Sequence, residues 1–178
     1  MFGLIAGIIS GCNTLNNDKP NTEPNLIIEK VILYYGDKNN ENFVIEEREI
    51  SYAITENKYT EVLEELIQGP TNQEYRANIP KETKVLDSVI QNDRLIVNVS
   101  KDFNRFGGSI AEIIAVGSIV NTLTQFDEIT SVKILVEGNE LIGPSGMPRG
   151  FMEPFSNNNT PTDTEETSNN EVVLPNYS

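Results

Sequence analysis

The sequence is most informative at residues 109–126, which read SIAEIIAVGSIVNTLTQF. Apolar side chains recur here at intervals of three and four residues, the spacing of one face of an α-helix. Ser109 and Glu112 have the spacing of a capping box, so the helix is expected to start at this point. We therefore predict a helix over residues 110–125 whose buried stripe consists of Ile110, Ile113, Ile114, Gly117, Val120, Leu123 and Thr124.

A second helix is predicted upstream, over residues 56–68, with Thr55 as its N-cap. Gly69-Pro70 ends it, because Gly accepts a left-handed conformation and Pro cannot continue a helix. Glu61 and Glu65 lie one turn apart on the outer face, where two carboxylates could form a catalytic pair, but a solvated helix face is the favoured interpretation. The apolar stripe of this helix consists of Tyr59, Val62, Leu63, Leu66 and Ile67.

Runs of alternating apolar and polar residues predict five strands around these helices. Short turn-forming segments separate two pairs of strands, which are expected to form hairpins. In the second hairpin Leu95, Val97 and Val99 alternate with more polar residues, which predicts a sheet covered on one face only. The predicted strands are residues 26–35, 43–50, 84–90, 95–100 and 131–136.

The predicted order is strand, strand, helix, strand, strand, helix, strand. Its simplest architecture is an α+β two-layer sandwich, with two helices on one face of a mainly antiparallel sheet. We assign residues 26–155 to this single domain, because the polar stretches lie near the two ends of the chain. Its last part is rich in Gly and Pro, and four apolar side chains there are expected to fold back onto the body: Met147, Phe151, Met152 and Phe155.

The chain begins with MFGLIAGIISGC, an apolar run that ends in its one cysteine. The run is far shorter than the roughly 20 residues that span a bilayer, and it fits the apolar core and cleavage zone of a signal peptide, although it lacks the usual Lys or Arg. Ile9-Ser10-Gly11-Cys12 resembles a bacterial lipobox. We predict that residues 1–11 are a signal peptide and that Cys12 carries a lipid such as palmitate. The alternative is a buried apolar segment with an ordinary buried cysteine.

Residues 12–25 are polar and predict a flexible tether, which suits a protein held on the extracytoplasmic face of the cell membrane. Residues 156–178 are predicted to be a disordered acidic tail. The net charge of the chain is −14, so nucleic acid is not an expected partner and the membrane attachment should be hydrophobic rather than electrostatic.

The composition excludes several kinds of site. The chain has no histidine and one cysteine, which excludes Ser-His-Asp and Cys-His nucleophile systems and the usual zinc sites. Asp127-Glu128, Glu46-Glu47 and Glu49 could bind calcium, but they lack the alternating spacing of a dedicated loop. Gly107-Gly108-Ser109, with Arg105 nearby, could bind an anion at a helix start, but local capping is the favoured interpretation. We predict no catalytic, cofactor-binding or metal-binding residues.

Several segments together resemble a GerM domain. The first half of the resemblance lies in Tyr34, in Leu66–Pro70 and in Ile79–Leu86. The second half is more specific and lies in Leu95–Ser100 with Phe103, in Gly107–Ser109 and in Val116–Phe126, followed by Val132–Gly138. The resemblance covers residues 27–143, and the Val-Asn-Thr-Leu-Thr segment at residues 120–124 is its most specific part.

The resemblance implies a non-enzymatic module of envelope lipoproteins, with a fold similar to the ring-building modules of secretion complexes. The namesake carries tandem copies and this chain has room for one. The first hypothesis is a lipid-anchored interaction module in sporulation or germination that contacts unidentified envelope proteins, or copies of itself, through a sheet edge or helix face. The alternative is an extracytoplasmic binding protein for a small ligand or cell-wall fragment. A hydrolase with paired carboxylates is the least favoured.

Overall fold

The computed structural model of the chain describes residues 25–143 and 146–157. A short 3₁₀ helix, Lys101–Asn104, follows the fourth strand. The elements of regular structure are, in chain order, β1 (Leu26–Gly36), β2 (Phe43–Ala53), α1 (Lys58–Gln68), β3 (Val85–Gln91), β4 (Arg94–Val99), α2 (Ser109–Leu123), β5 (Ser131–Val136), β6 (Asn139–Glu140) and β7 (Phe151–Met152).

The α+β class is confirmed, and the strands divide between two sheets. β1 and β2 form an antiparallel hairpin that is a sheet of its own. The second sheet has the order β3-β4-β5-β6, with β7 also paired to β5. β4 and β5 are parallel, because the long connection through α2 returns the chain to the same end of the sheet, as a hairpin turn cannot.

Both sheets and α1 pack against α2, which gives the molecule one core. The predicted single stripe of α2 was therefore incomplete: every residue from Ile114 to Leu123 is buried, whereas Ile110 is exposed. α1 keeps the predicted stripe, and all five of its members are buried.

Two helix starts differ from the prediction. The N-cap of α1 is Asn57, not Thr55, and its side chain accepts a hydrogen bond from the N–H of Tyr59. The capping box at Ser109 was wrong, because Gly108 is the N-cap, with φ of 133°, and no side chain caps α2. Glycine tolerates that backbone conformation and serine does not. The carboxylate of Glu112 pairs instead with Arg149, at 2.7 Å.

Residues 148–155, here called the C-terminal strap, fold back onto the body as expected. Phe151, Met152 and Phe155 are half-buried, but Met147, just before the strap, is 67% exposed. The predicted signal peptide, Cys12, all of the predicted tether but its last residue, and the predicted tail from residue 158 lie outside the described residues. Within the described residues, no helix has both the length and the apolar character needed to cross a membrane.

Candidate interaction surface

Polar residues at the end of α2 and just after it close one edge of the β1–β2 sheet. The N–H of Tyr34 donates to the hydroxyl of Thr122, at 3.1 Å. The side-chain oxygen of Gln125 accepts from the N–H of Ile32 at 2.8 Å, and its side-chain nitrogen donates to the carbonyl of Ile32 at 2.9 Å. Side chains therefore take the place of a neighbouring strand along this part of β1.

Asn121, also on α2, holds the C-terminal strap. Its side-chain oxygen accepts from the N–H of Phe155 at 2.7 Å, and its side-chain nitrogen donates to the carbonyl of Phe155 at 3.1 Å. The ring of Phe155 meets that of Phe43 edge to face, with centroids 6.4 Å apart. Asn121 and Thr122 thus bond to neighbouring segments, and both are buried.

β3 is the outer strand of the second sheet, and side chains bond to its backbone too. The N–H of Ser88 donates to the carboxylate of Asp87 at 2.8 Å. The carbonyl of Ser88 accepts from the side chain of Asn57 at 2.9 Å. Such contacts hinder pairing with a foreign strand, because the backbone groups that it would need are already bonded.

Among the described residues, no helix covers the face of the second sheet that points away from the core. Residues that are directly paired on neighbouring strands point to the same face of a sheet. The strand register therefore gives three rows of paired residues that run across the outward face. We define the outer sheet face by these rows, which are Val89-Ile96-Lys133-Phe151, Asp87-Asn98-Leu135-Glu140 and Gln91-Arg94-Ser131. The prediction that this sheet is covered on one side only is confirmed.

Apolar and cationic groups meet on the outer sheet face. Val89 is 46% exposed, and Ile96, Leu135 and Phe151 are partly exposed. The guanidinium carbon of Arg94 lies 4.5 Å from the ring centroid of Phe151, and Lys133 Nζ lies 4.8 Å from it. Lys133 also pairs with Glu140, at 2.5 Å. Such a surface suits a ligand that is both apolar and acidic.

A second set of exposed apolar side chains lies on the outward face of the β1–β2 hairpin and directly after β2. This hairpin patch consists of Leu26, Ile28, Ile45 and Ile54, each more than half exposed. Its charged neighbours on the same face are Glu47, Glu49 and Lys30, and Lys30 pairs with Glu47 at 3.4 Å. The hairpin patch therefore has an excess of acids at its border, whereas acids and cations are equal in number on the outer sheet face.

Carboxylates also gather around Arg48, at a cavity of about 450 Å³. Arg48 bonds to Glu46, to Glu65 on α1 at 2.7 Å and to the carbonyl of Gly69 at 3.1 Å. Burial raises the pKa of Glu46, but hydrogen bonds from Arg48 and from the backbone of residues 71 and 72 outweigh it and lower the pKa to about 2. Glu46 is thus ionised at neutral pH and cannot supply the proton that a carboxylate-pair hydrolase needs.

Three of the other acidic candidates from the sequence have protein partners. Glu65 pairs with Arg48 and not with Glu61, Glu47 pairs with Lys30, and Glu128 bonds to Lys58 at 2.7 Å and to the hydroxyl of Tyr59 at 2.8 Å. In residues 25–143 and 146–157, no group of three or more potential ligands could hold a metal ion. At the start of α2, Arg105 pairs with Asp102 at 3.1 Å.

A cleft of about 550 Å³ lies between the 3₁₀ helix, the first turn of α2 and β6. Phe106, Val136 and Leu141 contribute apolar surface, and Lys101 and Glu112 contribute charge. The volume is that of a small-ligand site. However, two of its carboxylates are already paired, Glu112 with Arg149 and Glu140 with Lys133.

The family model described as "Germane: Sporulation and spore germination" matches residues 32–142. The tandem GerMN domains of the sporulation protein GerM from Bacillus subtilis superpose with a TM-score of 0.59 at 19% identity, covering 75% of this chain and 48% of that one. The present chain therefore spans about half of that structure's length.

The first GerMN domain of the same protein gives a TM-score of 0.53 at 28% identity, over 73% of this chain and 96% of that domain. A Clostridium perfringens protein provisionally classed as a lipoprotein is 30% identical, over 65% of this chain and 79% of its own, but with a TM-score of only 0.46. No curated protein sequence matches the chain.

Proposed function

Since the chain belongs to the Germane family of sporulation and spore germination domains, we propose that it is a non-enzymatic interaction module, anchored by a lipid on Cys12 to the extracytoplasmic face of the membrane. Its partner would be another envelope protein, bound at the outer sheet face. The resemblance to a GerM domain is confirmed by the family match and by the likeness to GerMN domains.

One observation carries the proposed binding role. The outer sheet face combines exposed aliphatic groups with Arg94 and Lys133 stacked on Phe151. By contrast, the edges at β1 and β3 are bonded by side chains at Ile32, Tyr34 and Ser88. A partner would therefore meet side chains of the sheet face rather than backbone at these edges, which favours recognition by apolar and charge complementarity.

Two features support a role without catalysis. The whole chain lacks histidine, the most common general base. In addition, two carboxylates meet at Arg48, where the pKa of Glu46 is lowered and not raised. A carboxylic acid that donates a proton near neutral pH needs the opposite shift.

Photo-crosslinking tests the binding face. A photoreactive amino acid would replace Val89 on the outer sheet face and, as a matched control, Ile28 on the hairpin patch, in cells of the native organism. The proposal expects one envelope protein to crosslink from position 89 and not from position 28. Crosslinks from position 28 alone would contradict it. Co-purified cell-wall fragments, with no protein crosslinked from either position, would favour ligand binding in the cleft beside Phe106.

The lipid anchor is tested separately. Cys12→Ser removes the thiol that would receive the lipid, so the protein should move from the membrane fraction to the soluble fraction. Asn13→Ser is the matched control and should remain in the membrane fraction. If Cys12→Ser stays with the membrane as well, the anchor is not on Cys12.

A further inference from the structure

The outer sheet face and the end of the chain have complementary chemistry. Residues 156–178 contain four acids and no Lys or Arg. Their one aliphatic run is Val172-Val173-Leu174, directly after Glu171. Three consecutive aliphatic residues can remove apolar surface from water when they lie against another apolar face.

We propose that residues 171–174 dock onto the outer sheet face of the same chain. The aliphatic side chains would cover Val89, Ile96 and Leu135, and the carboxylate of Glu171 would lie near Arg94. Arg94 is exposed and stacks on Phe151, so the pairing brings a carboxylate to a cation held in place by an aromatic ring.

The connection is long enough for this contact. Met152 of β7 pairs with Val132 of β5, so the chain passes along this sheet shortly before the tail begins. Residues 153–170 can extend over at most about 60 Å. The sheet from β7 to β3 is only about 15 Å wide, since neighbouring strands lie about 5 Å apart. A tether of this length gives a local concentration in the millimolar range, so a weak contact is enough to populate the docked state.

Charge selects this face over the hairpin patch. The hairpin patch is bordered by Glu47 and Glu49, and Lys30 there is already paired with Glu47. An acidic segment would be repelled at that border. The outer sheet face carries two acids, Asp87 and Glu140, against two cations, and Glu140 is paired with Lys133. The second cation, Arg94, has an aromatic contact but no carboxylate partner within 4 Å among the described residues.

The contact can be measured in the full chain by paramagnetic relaxation. Cys12→Ser combined with Asn176→Cys leaves one thiol, to which a nitroxide label is attached. We expect at least a twofold loss of NMR signal intensity at Val89, Ile96 and Leu135 relative to the reduced label, and no comparable loss at Ile28. Equal intensities at all four residues, or losses confined to Ile28, would overturn the proposal.

Two variants identify the contacts. Arg94→Glu should restore most of the signal at Ile96, whereas Lys30→Glu, a charge reversal at another exposed site, should leave the loss unchanged. Leu174→Asp should also restore the signal, and it leaves the folded domain untouched if Arg94→Glu impairs folding. A loss of signal that persists in both Arg94→Glu and Leu174→Asp would exclude docking of this segment.

The docked tail is independent of the lipid anchor and of any partner, because one chain in solution suffices to detect it. Docking of the tail does not depend on the proposed function. Only its effect on partner binding does, because a bound tail must leave before a partner can bind the same face. A chain whose tail does not dock could still crosslink to a partner from position 89, so failures of the two proposals are distinguishable.

Discussion

Arg48 joins β2 to the end of α1 and to the loop that follows it. It lies in β2 and bonds to Glu65 of α1, to the carbonyl of Gly69 after α1, and to Glu46, which in turn accepts from the N–H groups of Thr71 and Asn72. The Arg48 side chain is only 14% exposed. Removing its charge therefore leaves two partly buried carboxylates without their cation.

Arg48→Met should lower the free energy of unfolding by about 2–4 kcal/mol, the usual cost of breaking a largely buried ion pair. Lys30→Met is the matched control, because Lys30 lies in the same hairpin but its pair with Glu47 is mostly exposed. That variant should cost less than about 1 kcal/mol. Urea denaturation followed by circular dichroism measures both, and equal losses would contradict the role assigned to Arg48.

Glu46 gives this cluster a pH dependence. The pKa of its carboxyl is about 2 in the folded protein against an ordinary value of 4.5. A lowered pKa stabilises the folded state above the ordinary value, so this contribution should be lost as the pH falls from about 4.5 to 2. Unfolding by urea between pH 6 and 2 should show a smaller fall in stability for Glu46→Gln than for the unmodified chain. Parallel curves would show that Glu46 does not contribute.

At the scale of elements, α2 protects the edge of β1. Thr122→Val keeps the shape of the side chain but leaves the N–H of Tyr34 without its acceptor, which should cost about 1–2 kcal/mol. Hydrogen exchange at the Tyr34 amide should accelerate more than at its neighbours. Thr124→Val is the control, because the hydroxyl of Thr124 bonds within the helix, to the carbonyl of Val120. If both variants change exchange at Tyr34 equally, the edge contact is not the cause.

The edge of β3 should be protected against association by the same means. Asn57→Ser retains an N-cap for α1 but removes the amide that donates to Ser88. Combined with Asp87→Ala, it frees both backbone groups of Ser88 beside the exposed Leu86 and Val89. Sedimentation should show more concentration-dependent association for the double variant than for the unmodified chain, whereas Asn57→Ser alone should sediment like the unmodified chain. A double variant that sediments like the unmodified chain would show that these contacts do not protect the edge.

The helices and strands could be predicted from the sequence, but the contacts between them could not. Periodicity gave both helices and five strands within a few residues of their bounds, because side-chain spacing reflects local geometry. The outer sheet face depends on the register between strands distant in sequence, so nothing near Val89 or Phe151 indicated that they share a row. The capping box failed for a similar reason: the partner of Glu112 is Arg149, which folds back from 37 residues away.

At the scale of the whole molecule, the domain is completed by its C-terminal strap. A Cβ added to Gly117 of α2 would lie 2.3 Å from the ring of Phe43 and 3.3 Å from that of Phe155. The absence of a side chain at position 117 thus lets the strap and the hairpin meet on the helix. The family match ends at residue 142, yet the strap beyond it supplies β7 and the bonds to Asn121.

Two truncations separate the domain from its tail. A chain ending at Asn157 should keep a melting temperature within about 2 °C of the full chain, because a tail held by a weak contact contributes little to stability. A chain ending at Gly150 loses Phe155 and the pairing of β7, which should cost roughly 3 kcal/mol and lower the melting temperature by about 10 °C.

Calorimetry of the three proteins at equal concentration provides the comparison, and Phe155→Ala in the full chain serves as the matched single-residue control. That variant should lose about half as much as the chain ending at Gly150, because the pairing of β7 with β5 remains. Equal melting temperatures for the chains ending at residues 150 and 157 would move the domain boundary upstream of the strap. The reciprocal bonds between Asn121 and Phe155 would then be an accessory contact rather than part of the fold.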